Sequence, residues 1–107
     1  MNAQTLEALK ASIAKWERNA EAKRPGAYKT GDEDCPLCNL FIYGDCEGCP
    51  IFQNVGERYC RKTPYLVASR AWFDWNDNPK IAEFRYRAHA AARDEVAFLK
   101  SLLPVQP

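Results

Sequence analysis

At 107 residues the chain is long enough for one modest core and too short for two independent ones, and its 47% hydrophobic and 27% charged residues exclude wholesale disorder. The start, MNAQTLEALKASIAKW, lacks the basic-then-apolar pattern of an export signal, and no window approaches about 18 uninterrupted apolar residues, so the chain is expected to be neither exported nor membrane-spanning and to reside in the cytoplasm. The formal net charge of +1 hides an asymmetry: residues 1–57 carry six Lys/Arg against nine Asp/Glu, and residues 58–107 carry nine against five, which makes the C-terminal half the better candidate for an acidic partner.

In chain order, Leu6, Leu9, Ile13, Trp16 and Ala20 recur at steps of three and four, which predicts an amphipathic helix over residues 5–23. Asn2 or Thr5 would cap it and Arg24-Pro25-Gly26 would stop it, with Lys10, Lys15, Arg18, Glu7, Glu17 and Glu21 on a solvated face. Residues 27–34, which include Gly31 and the acidic run Asp32-Glu33-Asp34, show no apolar period and read as a connecting loop. Thr63-Pro64 reads as an N-cap followed by proline at the first helical position, opening a short helix from residue 64 to about 75. Asn76-Asp77-Asn78-Pro79 repeats that grammar before a long helix to about residue 103, whose stripe is Ile81, Phe84, Ala88, Ala92, Val96, Leu99 and Leu103. Arg70 with Asp74, and Glu83 with Arg87, are placed to pair across one turn, and the small residues 88–92 would let another helix, expected to be the first, approach closely.

All five cysteines fall between Cys35 and Cys60, in CPLCNLFIYGDCEGCPIFQNVGERYC. Cys35 and Cys38 form one CxxC, Cys46 and Cys49 a second after seven residues, and Cys60 follows after ten more. Two residues between thiolates let a tight turn aim both sulfurs at one ion, so two such turns in a reducing compartment point to a metal rather than to disulfides. Four of the five are expected as ligands, with Cys35, Cys38 and Cys49 ranked ahead of Cys46 and Cys60. Zinc (Zn2+) is the first choice because four-cysteine zinc sites are closed, redox-silent and able to fold a small domain; a 4Fe-4S cluster is the alternative, since Cys49-Pro50 matches the Cys-Pro that ends cluster-binding runs.

CPLC, CEGCPI, Gly56, Cys60 and Thr63-Pro64-Tyr65 resemble a group of small cysteine-rich proteins encoded by bacteriophages and prophages, which also finish in a helix like ARDEVAFLKSLLP. The resemblance covers residues 35–66 well and the last helix loosely. It implies a metal-binding accessory protein in a bacterial cytoplasm and brings no known activity.

The expected architecture is mainly α and a single domain over residues 1–107: an N-terminal helix, a cysteine-rich metal-bound loop region over 35–60, a short helix, and a long C-terminal helix packed on the first. The expected function is non-enzymatic, since no nucleophile–His–acid set, paired carboxylates or phosphate-cradling glycine loop is visible, and the single histidine, His89, reads as an ordinary helix-surface or half-buried residue, with metal ligation as the alternative. A zinc-braced module would bind a host or phage protein through Tyr65, Trp72, Phe73, Trp75, Arg61, Lys62 and Arg70, with core filling as the competing role of each ring. The alternatives are a nucleic-acid-binding regulator using Arg58, Arg61, Lys62, Arg70, Arg85, Arg87 and Arg93, against which the pI of 7.6 argues, and an iron–sulfur redox sensor. No membrane and no small-molecule substrate is evident as a partner.

Overall fold

The computed structural model describes residues 1–31, 35–41, 44, 46–57 and 60–104, and among them the regular structure is helical, with no strand. Five α-helices follow in order: α1 (Ala3–Asn19), α2 (Pro36–Phe41), α3 (Pro50–Val55), α4 (Pro64–Asp77) and α5 (Ala82–Ser101), with one 3-10 turn at Pro25–Ala27. The long last helix packs on the first, as its apolar stripe requires, and more extensively on α4. No helix among the described residues is long and apolar enough to cross a membrane.

Helix α1 is capped by Asn2, whose Oδ1 accepts from the Thr5 N–H at 2.8 Å. Leu9, Ile13 and Trp16 bury as their spacing demands, but so do Thr5, Ala8, Ser12, Lys15 and Asn19. These add a second inward stripe, because α1 is contacted by α5 and also by α2. Lys15 therefore leaves the solvated face on which its charge had placed it. The helix ends at Asn19, four residues before the expected stop. There the buried Asn19 amide takes over: its Nδ2 donates to the Lys29 carbonyl and its Oδ1 accepts from the Lys29 N–H, both at 2.8 Å, which pins the returning chain.

That return carries Tyr28 into the centre of the molecule, so residues 27–31 are more than a connection; the acidic run of residues 32–34 lies outside the described residues. Tyr28 is buried edge-on against Trp16 and Trp75, with ring centroids 5.7 and 6.2 Å away. Its hydroxyl donates to the Ala88 carbonyl at 3.0 Å and lies 3.5 Å from that of Ala68. Burial pushes this phenol well above its ordinary range, with the Glu95 carboxylate as a further cause, so it remains a donor. The fully buried Ala68 and Ala88 permit the close approach of α4 to α5. The alanine-rich face anticipated for α1 is thus used largely on α4.

Thr63 caps α4, accepting from the Tyr65 N–H at 3.2 Å while its hydroxyl donates to the Cys60 carbonyl at 2.6 Å. The cap ties the last cysteine to the start of a helix. On α5, Ala88, Ala92 and Leu99 are buried as expected and Ile81 is exposed, and Glu95 occupies the inner stripe where Val96 had been placed. Glu83 and Arg87 pair at 2.7 Å. Arg70 and Asp74 do not join the ion pairs found among the described residues.

Candidate metal centre

Residues 35–60, read from sequence as an irregular metal loop, contain α2 and α3, and both helices begin at Cys-Pro. Proline at the first helical position supplies the fitting φ and lacks only an N–H that would have had no helical partner, so each preceding cysteine sits where a cap belongs. The Cys38 N–H donates to Cys35 Sγ at 3.4 Å. At α3 the N–H groups of Ile51 and Phe52 favour the Cys49 thiolate, against the larger cost of burial. Gly56, at φ 74°, ends α3 in a left-handed turn that other residues adopt at a cost, and its N–H bonds the Phe52 carbonyl at 2.8 Å.

Cys46 and Cys60 adopt the left-handed region themselves, at φ 66° and 61°. For residues with a Cβ this costs about 1–2 kcal/mol each. Strain of this kind persists where surrounding structure enforces it and clusters at functional sites. The backbone is bent so that Cys35, Cys38, Cys46, Cys49 and Cys60 all line one small cavity, about 20 Å3 in volume, closed by Leu37, Phe41, Ile51, Phe52 and Glu57. Cys46 and Cys60, ranked last from sequence, border the same space as the other three.

The five thiols are reduced and electrostatically unequal. Cys35 is drawn down to about 6, chiefly because the Cys38 thiol donates to it; the Cys38 N–H, the Lys15 ammonium and the Leu37 N–H add to this, against the cost of burial. Cys38, the donor, is pushed up by that bond and by burial, burial raises Cys49, and burial with the neighbouring Cys35 charge pushes Cys60 up to about 12. One thiolate thus stands ready among protonated neighbours. Thiols held protonated mainly by burial, and further by neighbouring thiolate charge, are those a cation would deprotonate, since it supplies the attraction that water no longer gives.

Among the described residues no three Cys, His, Asp or Glu side chains form a ready-made ion-holding group, so coordination requires the thiols to draw inward. The donor set and the cavity nevertheless fit a thiolate metal. A space of 20 Å3 exceeds one water-sized sphere only slightly and suits a single ion rather than the eight atoms of a four-iron cube.

Beside this cavity, and sharing Cys35, Leu37, Cys38, Ile51 and Cys60 as a common wall, lies a half-enclosed chamber of about 310 Å3 whose other residues include Ser12, Lys15, Trp16, Glu95 and Leu99. Sequence reasoning missed Ser12, Lys15 and Glu95 because each is polar at a position where a polar residue is usually solvated. A signal was present for Glu95. The run Ala88, Ala92, Glu95, Leu99 has the four-three-four spacing of a buried stripe.

Burial raises Glu95 from 4.5 to about 7, and the Cys35 charge adds to the rise while the Lys15 ammonium opposes it. Between those pH values the folded chain holds a proton the unfolded chain has lost, so this group's contribution to stability falls as pH rises through the window. Above about pH 7 the full cost, about 3 kcal/mol, is present. Urea unfolding of Glu95→Gln and of the parent chain from pH 4.5 to 8 should diverge in the variant's favour as pH rises. Taking the difference at each pH cancels the opposite slope from Cys35; a constant difference would refute the assignment.

The aromatic residues expected to anchor a partner divide. Trp75, 1% exposed, is a core residue and is not available at the surface. Trp72 is half-buried with Nε1 donating to the Pro25 carbonyl at 2.8 Å, and Tyr65 is half-buried with its hydroxyl donating to the Thr30 carbonyl. Phe73, 57% exposed, stacks edge-on against Trp72 at 4.8 Å and remains at the surface beside the exposed Arg70. Arg61 and Lys62 are exposed, and Lys62 pairs with Glu57 at 3.2 Å. His89 is half-buried as expected, its Nε2 lying 2.6 Å from the Ala22 carbonyl and its ring against Trp75. Among the basic residues Arg87 is held by Glu83 and Lys100 by Glu17, and Arg58 lies outside the described residues.

No protein-family model, curated protein or solved structure matches the chain. Its chemistry has to be read from its own residues.

Proposed function

We propose that the chain is a non-enzymatic, zinc-stabilised accessory module of the phage type, acting in a bacterial host cytoplasm, in which four of Cys35, Cys38, Cys46, Cys49 and Cys60 supply the ligands and α4 presents the surface that binds a protein partner. The observation that carries the metal reading is the convergence of all five cysteines on one ion-sized cavity. Zinc, when bound there, supplies a redox-silent link between the two Cys-Pro helix starts and the Cys60 turn. The chain's own contribution is to hold Cys35 as thiolate, to offer N–H groups to the sulfurs, and to screen them with Leu37, Ile51 and Phe52.

Support for a protein partner comes from the outer side of α4. Leu66, Arg70 and Phe73 follow at i, i+4 and i+7 and are all exposed, with Val67 beside them. An apolar stripe with one arginine on an exposed helix face is the pattern of a helix that seats in a partner's groove. Replacing Leu66 and Phe73 by aspartate should abolish capture of a stoichiometric partner from host lysate while moving the thermal midpoint by no more than about 2 °C, because exposed positions carry little folding energy. Equal capture by parent and variant would sink the assignment.

The iron–sulfur reading is favoured by one observation, the 310 Å3 chamber onto which Cys35, Cys38 and Cys60 also open. Anaerobic purification separates the two readings. One zinc per chain in a colourless sample supports the brace; iron with matching sulfide in a brown one supports the redox sensor.

A further inference from the structure

The chamber beside the cysteines contains polar groups that the fold leaves uncompensated. Glu95 and Ser12 are each 2% exposed, and Glu95 Oε2 and Ser12 Oγ have no hydrogen-bond partner among the described residues. A buried carboxylate oxygen and a buried hydroxyl without partners are each costly, and native chains rarely keep two facing one space unless something fills it. Lys15, 6% exposed, lines the same chamber, yet among the described residues no ion pair closes it onto Glu95. Its ammonium lies 5.0 Å from the Trp16 ring centroid and lends its charge to Cys35. Glu95 Oε2 is therefore left as an acceptor with no donor among the described residues.

Trp16, Leu37, Ile51 and Leu99 supply its apolar wall, and Gly31, Tyr65 and the three cysteines shared with the smaller cavity complete the lining. A volume of about 310 Å3 is at the lower end of small-molecule sites, which run from about 300 to 1,000 Å3. The occupant that satisfies every wall has a compact head with at least two N–H donors and a body of roughly a leucine or phenylalanine side chain. A positively charged head suits it further, since a carboxylate at Glu95 is negative and no ion pair among the described residues closes Lys15 onto it.

We propose that the chamber is a binding site for a small organic ammonium on an apolar body, with the ammonium held by Glu95 and Ser12 and the body against Trp16, Leu37, Ile51 and Leu99. The site rests on the single-ion reading in one respect only: a lone metal ion leaves the chamber free, whereas a cluster would fill it. Both free amines and amino acids carry this chemistry.

The test is calorimetric titration of the metal-loaded full chain at pH 8 with phenethylamine, L-phenylalanine and the uncharged 2-phenylethanol. Saturable one-to-one binding of phenethylamine or L-phenylalanine, at least tenfold tighter than 2-phenylethanol, is the expected result, and the better of the two identifies the source. The Glu95→Gln chain, which removes a buried charge, should keep its metal and lose roughly 10- to 100-fold in affinity. Absence of binding by both the phenethylamine cation and the phenylalanine zwitterion, equal binding of the alcohol, or undiminished binding by a folded Glu95→Gln chain overturns the proposal. Metal analysis of the same sample keeps the outcomes apart: iron and sulfide defeat the single-ion reading, and zinc with no binding defeats the chamber alone.

Discussion

Stripping the metal from the purified protein with a chelator is expected to lower the thermal midpoint by roughly 10 °C or more and to cut the far-ultraviolet helical signal by an amount matching residues 35–60. Helices α2 and α3 have six residues each, and isolated helices below about 12–15 residues are marginal in water. Their buried apolar anchors are few, Leu37 from the first and Pro50 and Ile51 from the second. Against this stand the strained backbones of Cys46 and Cys60 and a set of buried thiols. On the proposed zinc reading, local packing of that size is expected not to hold the segment without the ion. The α4–α5 and α1–α5 pairings are contacts between long helices outside residues 35–60 and should stay helical, so the expected loss is partial. Paired Cys35→Ser and Cys38→Ser replacement should reproduce the chelated state, and an unchanged midpoint after verified metal removal would refute the brace.

Tyr28→Ala should be the most damaging single change outside the cysteines, costing about 3–5 kcal/mol. One side chain joins Trp16 of α1, Trp75 of α4 and the Ala88 carbonyl of α5, and its truncation leaves a cavity at the point where three helices meet. Tyr28→Phe keeps the ring and removes only the hydroxyl bond, whose net worth is about 1 kcal/mol because the carbonyls keep their place within the helices. Denaturant unfolding of both variants separates packing from hydrogen bonding. Comparable losses would show that the hydroxyl, and not the ring, holds the junction.

The helices were legible because their signals are local. Asn2 and Thr63 cap as their side chains dictate, proline begins α4, and Leu9, Ile13 and Trp16 turn inward at the period of the helix. The Cys-Pro starts of α2 and α3 follow the same grammar and were legible in principle, but the thiols drew attention to metal chemistry and away from the helix each one opens. The division of the aromatics was not legible. Trp75 and Phe73 lie two residues apart in one dense apolar run, and only the placement of Tyr28 and α5 sends the first inward and leaves the second outside.

What the sequence determined by itself is the mainly helical character, the two long amphipathic helices and the concentration of soft metal ligands within residues 35–60, because capping, periodicity and side-chain chemistry act over a few residues. The tertiary structure decided which polar groups are enclosed. Ser12, Lys15 and Glu95 come from helices about eighty residues apart in the chain, and their burial follows from a second inward face of α1 that exists only once α2 and α5 both pack against it. No local pattern encodes that meeting. It also places the convergent cysteines beside an acceptor that no donor among the described residues satisfies.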